Sequence, residues 1–164
     1  MTRIGLISDT HGYIDESILR HFQNCDVILH AGDFGNGTVS DKLKAMKPLM
    51  GVYGNVDGQD IRSDFPEVSK FSIEDVKVLM IHIGGYPGKY SLLARQEIAL
   101  YKPGIFISGH SHILKIMYDD KWNCLHMNPG AAGKQGWQKV RTLIRFVIDG
   151  ADIKDCEVIE LGVL

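Results

Sequence analysis

Apolar residues follow two successive patterns along this chain. In the first, short runs at Ile4–Ile7, Val27–Leu29, Leu49–Tyr53, Val76–Ile81 and Ile105–Ile107 each break off in a cluster of Gly, Asp, Asn or His. Runs this short, bounded by turn formers, predict buried strands. Between them Ile14, Ile18, Leu19 and Phe22 recur at helical spacing, as do Val39, Leu43 and Met46 ahead of Pro48, and Leu92–Leu100 ahead of Pro103. Pro cannot continue a helix, so both prolines mark ends. After His112 the pattern changes to Leu114–Tyr118, a polar Asp119-Asp120-Lys121 turn, Trp122–Met127, Thr142–Ile148, Asp149-Gly150 and Ile153–Leu161. This predicts antiparallel strands, with Asp149-Gly150 as a hairpin turn. Strand–helix alternation followed by hairpins predicts a mixed-sheet α/β layered fold, and with no repeat or linker, residues 1–164 are read as a single domain.

Composition narrows the functions without choosing one. The chain is 164 residues long and 45% hydrophobic, enough for one ordinary core. Eighteen basic and twenty acidic residues leave a net charge of −2, so there is no strong nucleic-acid signal and no field for an anionic membrane. Cys25, Cys124 and Cys156 are widely separated and lack C-x-x-C spacing, which argues against a disulfide framework or zinc finger and for a cytoplasmic location. The apolar run after Met1-Thr2-Arg3 is too short for a signal peptide or a bilayer span.

The strand ends carry the chemistry. They lead into Asp9-Thr10-His11-Gly12, Gly32-Asp33, Gly54-Asn55, His82 and Gly109-His110-Ser111-His112. In layered α/β folds the C-terminal strand edge is where loops converge, so these residues can meet despite their separation. Two carboxylates, one amide and four imidazoles form a mixed ligand set suited to Mn, Fe, Zn, Ni or Co rather than Ca. Seven ligands exceed the needs of one ion, and a carboxylate such as Asp33 can bridge two ions held roughly 3.5–4 Å apart. Two divalent ions and two aspartates leave the site about doubly positive, which attracts phosphate locally and lowers the pKa of bound water. Gly12, Gly32, Gly54 and Gly109 are expected to allow the sharp turns beside the ligands, through positive φ and by leaving space.

In that order, D-x-H, G-D, G-N, a lone His and G-H-x-H resemble the calcineurin-like metallophosphoesterase superfamily. The short chain and Gly54-Asn55-Val56-Asp57 are similar to its small single-domain bacterial and archaeal phosphodiesterase branch. The resemblance implies a four-layer αββα sandwich, two mixed β-sheets flanked by helices. It implies Asp9, His11 and His112 on one metal, Asn55, His82 and His110 on the other, and Asp33 bridging. It implies a small phosphate-ester substrate, most often a diester, and commonly Mn²⁺, with Asp33, Asn55 and His110 acting on the metal-bridging hydroxide and the phosphate. A phosphomonoesterase or protein phosphatase using the same site, or an interaction scaffold of this fold, are the alternatives.

Three positions depart from the family pattern. Val56 stands where many larger relatives have a His that meets substrate or protonates the leaving group, Ile83 intervenes between His82 and Gly84, and Ala131 replaces the Ser of N-P-G-S. Asp57, His30 and Asn128 are candidates for supporting or substrate contacts. Gly84–Gly88 is a candidate lid, though such stretches are more often ordered loops, and Trp137 with Lys134 and Lys139 reads as a solvated loop. His21 and His126 are assigned to packing or surface. Exposed edges of a small mixed sheet are compatible with a homo-oligomer.

Overall fold

The computed structural model describes residues 1–164. Two five-stranded mixed sheets carry the chain. In the first, β1 (Thr2–Ile7), β2 (Val27–His30) and β3 (Leu49–Gly51) run parallel, and the antiparallel pair β11 (Val140–Asp149) and β12 (Asp152–Val163) completes the order β12-β11-β1-β2-β3. In the second, β5 (Val76–Ile81), β8 (Ile105–Ile107) and β10 (Cys124–Asn128) are parallel, with β4 (Val68–Ile73) and β9 (Lys115–Asp119) antiparallel at the two edges.

Period-two alternation explains why both sheets are buried on two faces. Ile4, Leu6, Leu29, Val78, Met80, Ile105, Ile107, Met127, Ile144, Phe146 and Ile148 meet between the sheets. Ile7, Ile28 and Leu143 face the other way, onto Ile18 and Phe22 of α1 (Glu16–Phe22) and Val39 and Leu43 of α2 (Gly37–Met46). Leu79, Ile81 and Phe106 pack on Ala94 and Ile98 of α4 (Leu92–Tyr101). Helix, sheet, sheet, helix is the αββα sandwich that the resemblance implied. Each of these three helices starts at a side-chain cap: Asp15 accepts from Ile18 N, Asn36 from Val39 N, and Ser91 from Ala94 N. The fourth helix, α3 (Gln59–Arg62), is a single turn.

Two differences from the sequence reading have local causes. β4 was not among the expected strands: in Val68-Ser69-Lys70-Phe71-Ser72-Ile73 only Phe71 and Ile73 keep the period of two, while Val68 packs on the opposite face. The Gly84–Tyr90 stretch is an ordered hairpin, β6 (Gly85–Tyr86) against β7 (Lys89–Tyr90), with Pro87-Gly88 at its turn. No helix is long and apolar enough to cross a membrane.

Candidate metal centre

All seven expected ligands gather at the C-terminal edges of the parallel strands. Asp9 and His11 follow β1, Asp33 follows β2, Asn55 follows β3, His82 follows β5, and His110 and His112 follow β8. They form two groups whose ligand atoms lie within 4.8 Å of one another, Asp9, His11 and His112 in one and Asp33, His82 and His110 in the other. Asp33 Oδ2 lies 3.1 Å from His82 Nε2 and 3.8 Å from His11 Nε2, so one carboxylate oxygen faces both groups. Asn55 Oδ1 joins the second group, 3.1 Å from His82 Nε2 and 3.0 Å from His110 Nδ1.

The donor set is turned inward. His82 Nδ1 lies 2.7 Å from the Ala31 carbonyl and His112 Nδ1 2.8 Å from Gln138 Oε1, so in the neutral rings each Nδ1–H donates there and each Nε2 lone pair points into the site. Those lone pairs meet acceptors: His112 Nε2 is 3.2 Å from Asp9 Oδ1 and 3.3 Å from His11 Nε2. Asp9 Oδ1 is itself buried with no hydrogen-bond partner, while Asp9 Oδ2 accepts from Ser8 Oγ at 2.6 Å and His110 N at 3.1 Å. Acceptors facing acceptors in a buried pocket require a proton or a cation between them, and this arrangement fits divalent metal ions.

The same groups also shift one another's protonation. Burial opposes charge on His82, but the Asp33 hydrogen bond and the Asp9 field outweigh it and raise its pKa. Burial pushes Asp33 up, yet its contacts with His82 hold it below the usual carboxylate range. The Asp9 carboxylate 3.2 Å away raises His112 against the opposing effect of burial. Desolvation and then the His82 charge lower His110.

The backbone strain falls on the candidate ligands themselves. Asp9, His11, Asp33, His110 and His112 have φ of 54°, 46°, 58°, 70° and 62°, in the left-handed region that L residues avoid. Gly12 and Gly32 have positive φ as expected, at 80° and 101°, but Gly54 and Gly109 do not. Those two glycines are needed for space instead. A Cβ on Gly54 would fall on the Asp33 carboxylate and backbone, and one on Gly109 would fall on Ser8 Oγ, 2.8 Å from Asp9 Oδ2.

The weaker candidates touch backbone rather than ligand side chains. Asp57 accepts from Phe34 N, Gly35 N and Gly54 N, tying the Asp33 loop to the Asn55 loop. His30 Nδ1 accepts from Gly32 N and its Nε2 faces Thr10 Oγ1, and burial drives its pKa down to about 3, which keeps it a neutral brace. Asn128 Nδ2 donates to Gly109 O and Ser111 Oγ, holding the turn that carries His110 and His112. Tyr86, in the candidate lid, contacts Ser111 Oγ through its hydroxyl; sequence reasoning missed Ser8 and Gln138. Of these, only Ser8 had a signal, its place beside Asp9. Val56 is exposed beside the site, whereas Ala131 has no exposed surface and faces the interior. Next to Asn55 and His82 opens a cleft of about 230 Å³ lined by Tyr53, Arg62, Ile81, Ile83 and Leu93. The Arg62 guanidinium lies 4.3 Å over the Tyr53 ring.

Residues 2–151 match the family described as the calcineurin-like phosphoesterase superfamily domain. The chain belongs to this superfamily. Among curated proteins, a probable metallophosphoesterase of Methanocaldococcus jannaschii is 33% identical over 78% of this chain and 67% of its own length. One from Methanothermobacter thermautotrophicus is 29% identical over 97% and 92%. Among solved structures, a Vps29 variant from Entamoeba histolytica has a TM-score of 0.76 at 18% identity, covering 98% of this chain and 99% of that one. The structure of a novel archaeal phosphodiesterase has a TM-score of 0.74 at 22% identity, covering 97% and 99%. Membership in the superfamily supports phosphoester hydrolysis with divalent metals; the two structural likenesses establish the fold.

Proposed function

We propose that this calcineurin-like phosphoesterase hydrolyses small phosphodiesters with two divalent cations, most simply Mn²⁺, held by Asp9, His11 and His112 on one side and Asn55, His82 and His110 on the other, with Asp33 between. The observation that carries the reading is the inward-turned, acceptor-rich donor set, above all the buried and unpartnered Asp9 Oδ1. When bound, such ions supply charge neutralisation of the phosphoryl group and a water acidified toward neutral pH.

The chain's own residues do the remaining work. Asn55 and His110 are exposed at the mouth, where an amide and an imidazole can orient phosphate oxygens, whereas Asp33 lies buried beneath them. Gln138 and the Ala31 carbonyl hold His112 and His82 in the tautomer that leaves Nε2 free for a metal. The Tyr53–Arg62 cleft beside Asn55 receives the organic arm of the ester. Val56 offers no proton, and the Asp57 carboxylate is occupied by three backbone N–H groups. A general acid is worth roughly 10²–10⁴ in rate, so esters with good leaving groups are the preferred substrates. The archaeal phosphodiesterase neighbour agrees with the diester choice. The whole chain is read as one such domain, and the unpaired, buried Cys25 and Cys124 fit a reducing cytoplasm.

The test is hydrolysis of an aryl phosphodiester and its monoester by chelator-stripped protein, before and after adding Mn²⁺, Mg²⁺, Zn²⁺ or Ni²⁺. Metal-restored cleavage that favours the diester is expected. Faster monoester cleavage reassigns the site as a phosphomonoesterase. Folded protein that binds metal but turns over neither ester favours an interaction role, a reading that draws on the fold shared with Vps29.

A further inference from the structure

The two sheets present four edge strands, and three of them are protected. β12 carries Asp152, Lys154, Asp155, Glu157 and Glu160 along its length. β3 is three residues long, with Leu49 and Met50 packed into the cores. β4 is covered: Val68 and Phe71 pack inward, the Phe71 carbonyl accepts from Tyr101 Oη at 3.1 Å, and Lys70 pairs with Glu97. Protection of this kind prevents edge-to-edge pairing.

β9 is different. Lys115, Ile116, Met117 and Tyr118 are all exposed, Asp119 is half-buried with its carboxylate accepting from Tyr90 Oη at 2.8 Å and Lys121 N at 3.1 Å, and no charge interrupts the three central residues. Ile116, Met117 and Tyr118 are 38%, 43% and 53% exposed, and Ile113, just before the strand, is 59% exposed. Its register with β10 puts Lys115, Met117 and Asp119 on one face and Ile116 and Tyr118 on the other, so apolar side chains project from both faces of an unpaired edge.

We propose that β9 is a homodimer interface, pairing antiparallel with β9 of a second copy about a two-fold axis at Met117, so that the second sheet runs continuously across both chains. The charges select a second copy and this register. A two-fold interface must be self-complementary. With Met117 opposite Met117, Lys115 falls across from Asp119 of the other copy at both ends, and Ile116 meets Tyr118 twice. Opposite charges directly across a strand pair stabilise it, and like charges oppose it. A one-residue slip sets Lys115 against Tyr118, loses both ion pairs and turns the apolar set to the wrong faces. Neither the metals nor catalysis enters this argument.

The experiment is sedimentation velocity of the full chain, from low micromolar to several hundred micromolar, for wild type, Met117→Lys and Lys115→Asp. Circular dichroism and melting establish that each variant is folded, which their exposed positions favour. The wild type is expected to approach the mass of two chains as concentration rises. Met117→Lys sets two ammonium groups against each other at the axis, and Lys115→Asp sets carboxylates against carboxylates. Both are expected to remain at the mass of one chain under the same conditions. A wild type that stays monomeric throughout overturns the proposal. So does a wild-type dimer that either substitution leaves intact, because the contact would then lie elsewhere or in another register.

Discussion

Replacing His110 by glycine and, in parallel, by alanine separates what this residue costs the fold from what it gives the site. Its φ is 70° and its side chain is exposed, so both changes remove an imidazole that contributes little packing. The left-handed conformation costs an L residue about 1–2 kcal/mol, a penalty glycine escapes. Glycine gives back about 0.4–1 kcal/mol through its freer unfolded chain. The glycine variant should therefore be more stable than the alanine variant by about 0.5–1 kcal/mol, the reverse of the usual order. For a domain of this size that is a melting difference of about 1–4 °C. The assay is thermal melting of both variants in chelator, then in Mn²⁺. Metal at a hundred times its dissociation constant stabilises wild type by about 2.7 kcal/mol. Both variants should lose most of that gain along with turnover. At His82, which lacks a positive φ, the order should revert, with alanine above glycine. An alanine variant at 110 that equals or outlasts glycine in chelator would refute the claim that the ligand turns store backbone strain.

Gln138→Ala should lower metal affinity about 10–100-fold while the fold survives, because Gln138 Oε1 accepts from His112 Nδ1 and so fixes the tautomer; a metal titration that matches wild type would remove it from the site. Gly54→Ala puts a Cβ on the Asp33 carboxylate and backbone, so a loss of about 1–3 kcal/mol in urea denaturation and of metal-stimulated turnover is expected. His126 is fully buried among Tyr86, Tyr90 and Phe106, and burial lowers its pKa from 6.5 to about 4. The unfolded chain takes up this proton below pH 6.5 and the folded chain only below about 4, so stability falls as pH drops through that window. His126→Phe should lessen that fall by about 1.4 kcal/mol per pH unit, measured as urea midpoints at several pH values in the window; equal slopes would show that His126 is not held neutral.

Local signals were sufficient for much of the fold and the site. Val76–Ile81 and Ile105–Ile107 are strands with the bounds their apolar runs have, and the Asp149-Gly150 turn joins β11 to β12. Their side-chain periods are properties of adjacent residues, and so is the spacing of D-x-H and G-H-x-H. β4 gave little signal, because two serines and a lysine break up its apolar residues and Val68 lies on the opposite face from Phe71 and Ile73. Other features depend on positions far apart in the chain. Gln138 reaches His112 across 26 residues from a loop with no motif, and the lone acceptor Asp9 Oδ1 is defined only by what surrounds it. The positive φ at five candidate ligands could not be read from Asp and His, which usually avoid it; converging strand ends force those turns. Likewise Gly54 and Gly109 read as flexible turn residues but serve as gaps for two carboxylates, because close packing is set by the opposing loop. The sequence by itself determined which residues could bind metal and which segments form strands. The tertiary structure alone decided which oxygens and nitrogens face one another, because hydrogen bonding and burial depend on every element that meets at the site.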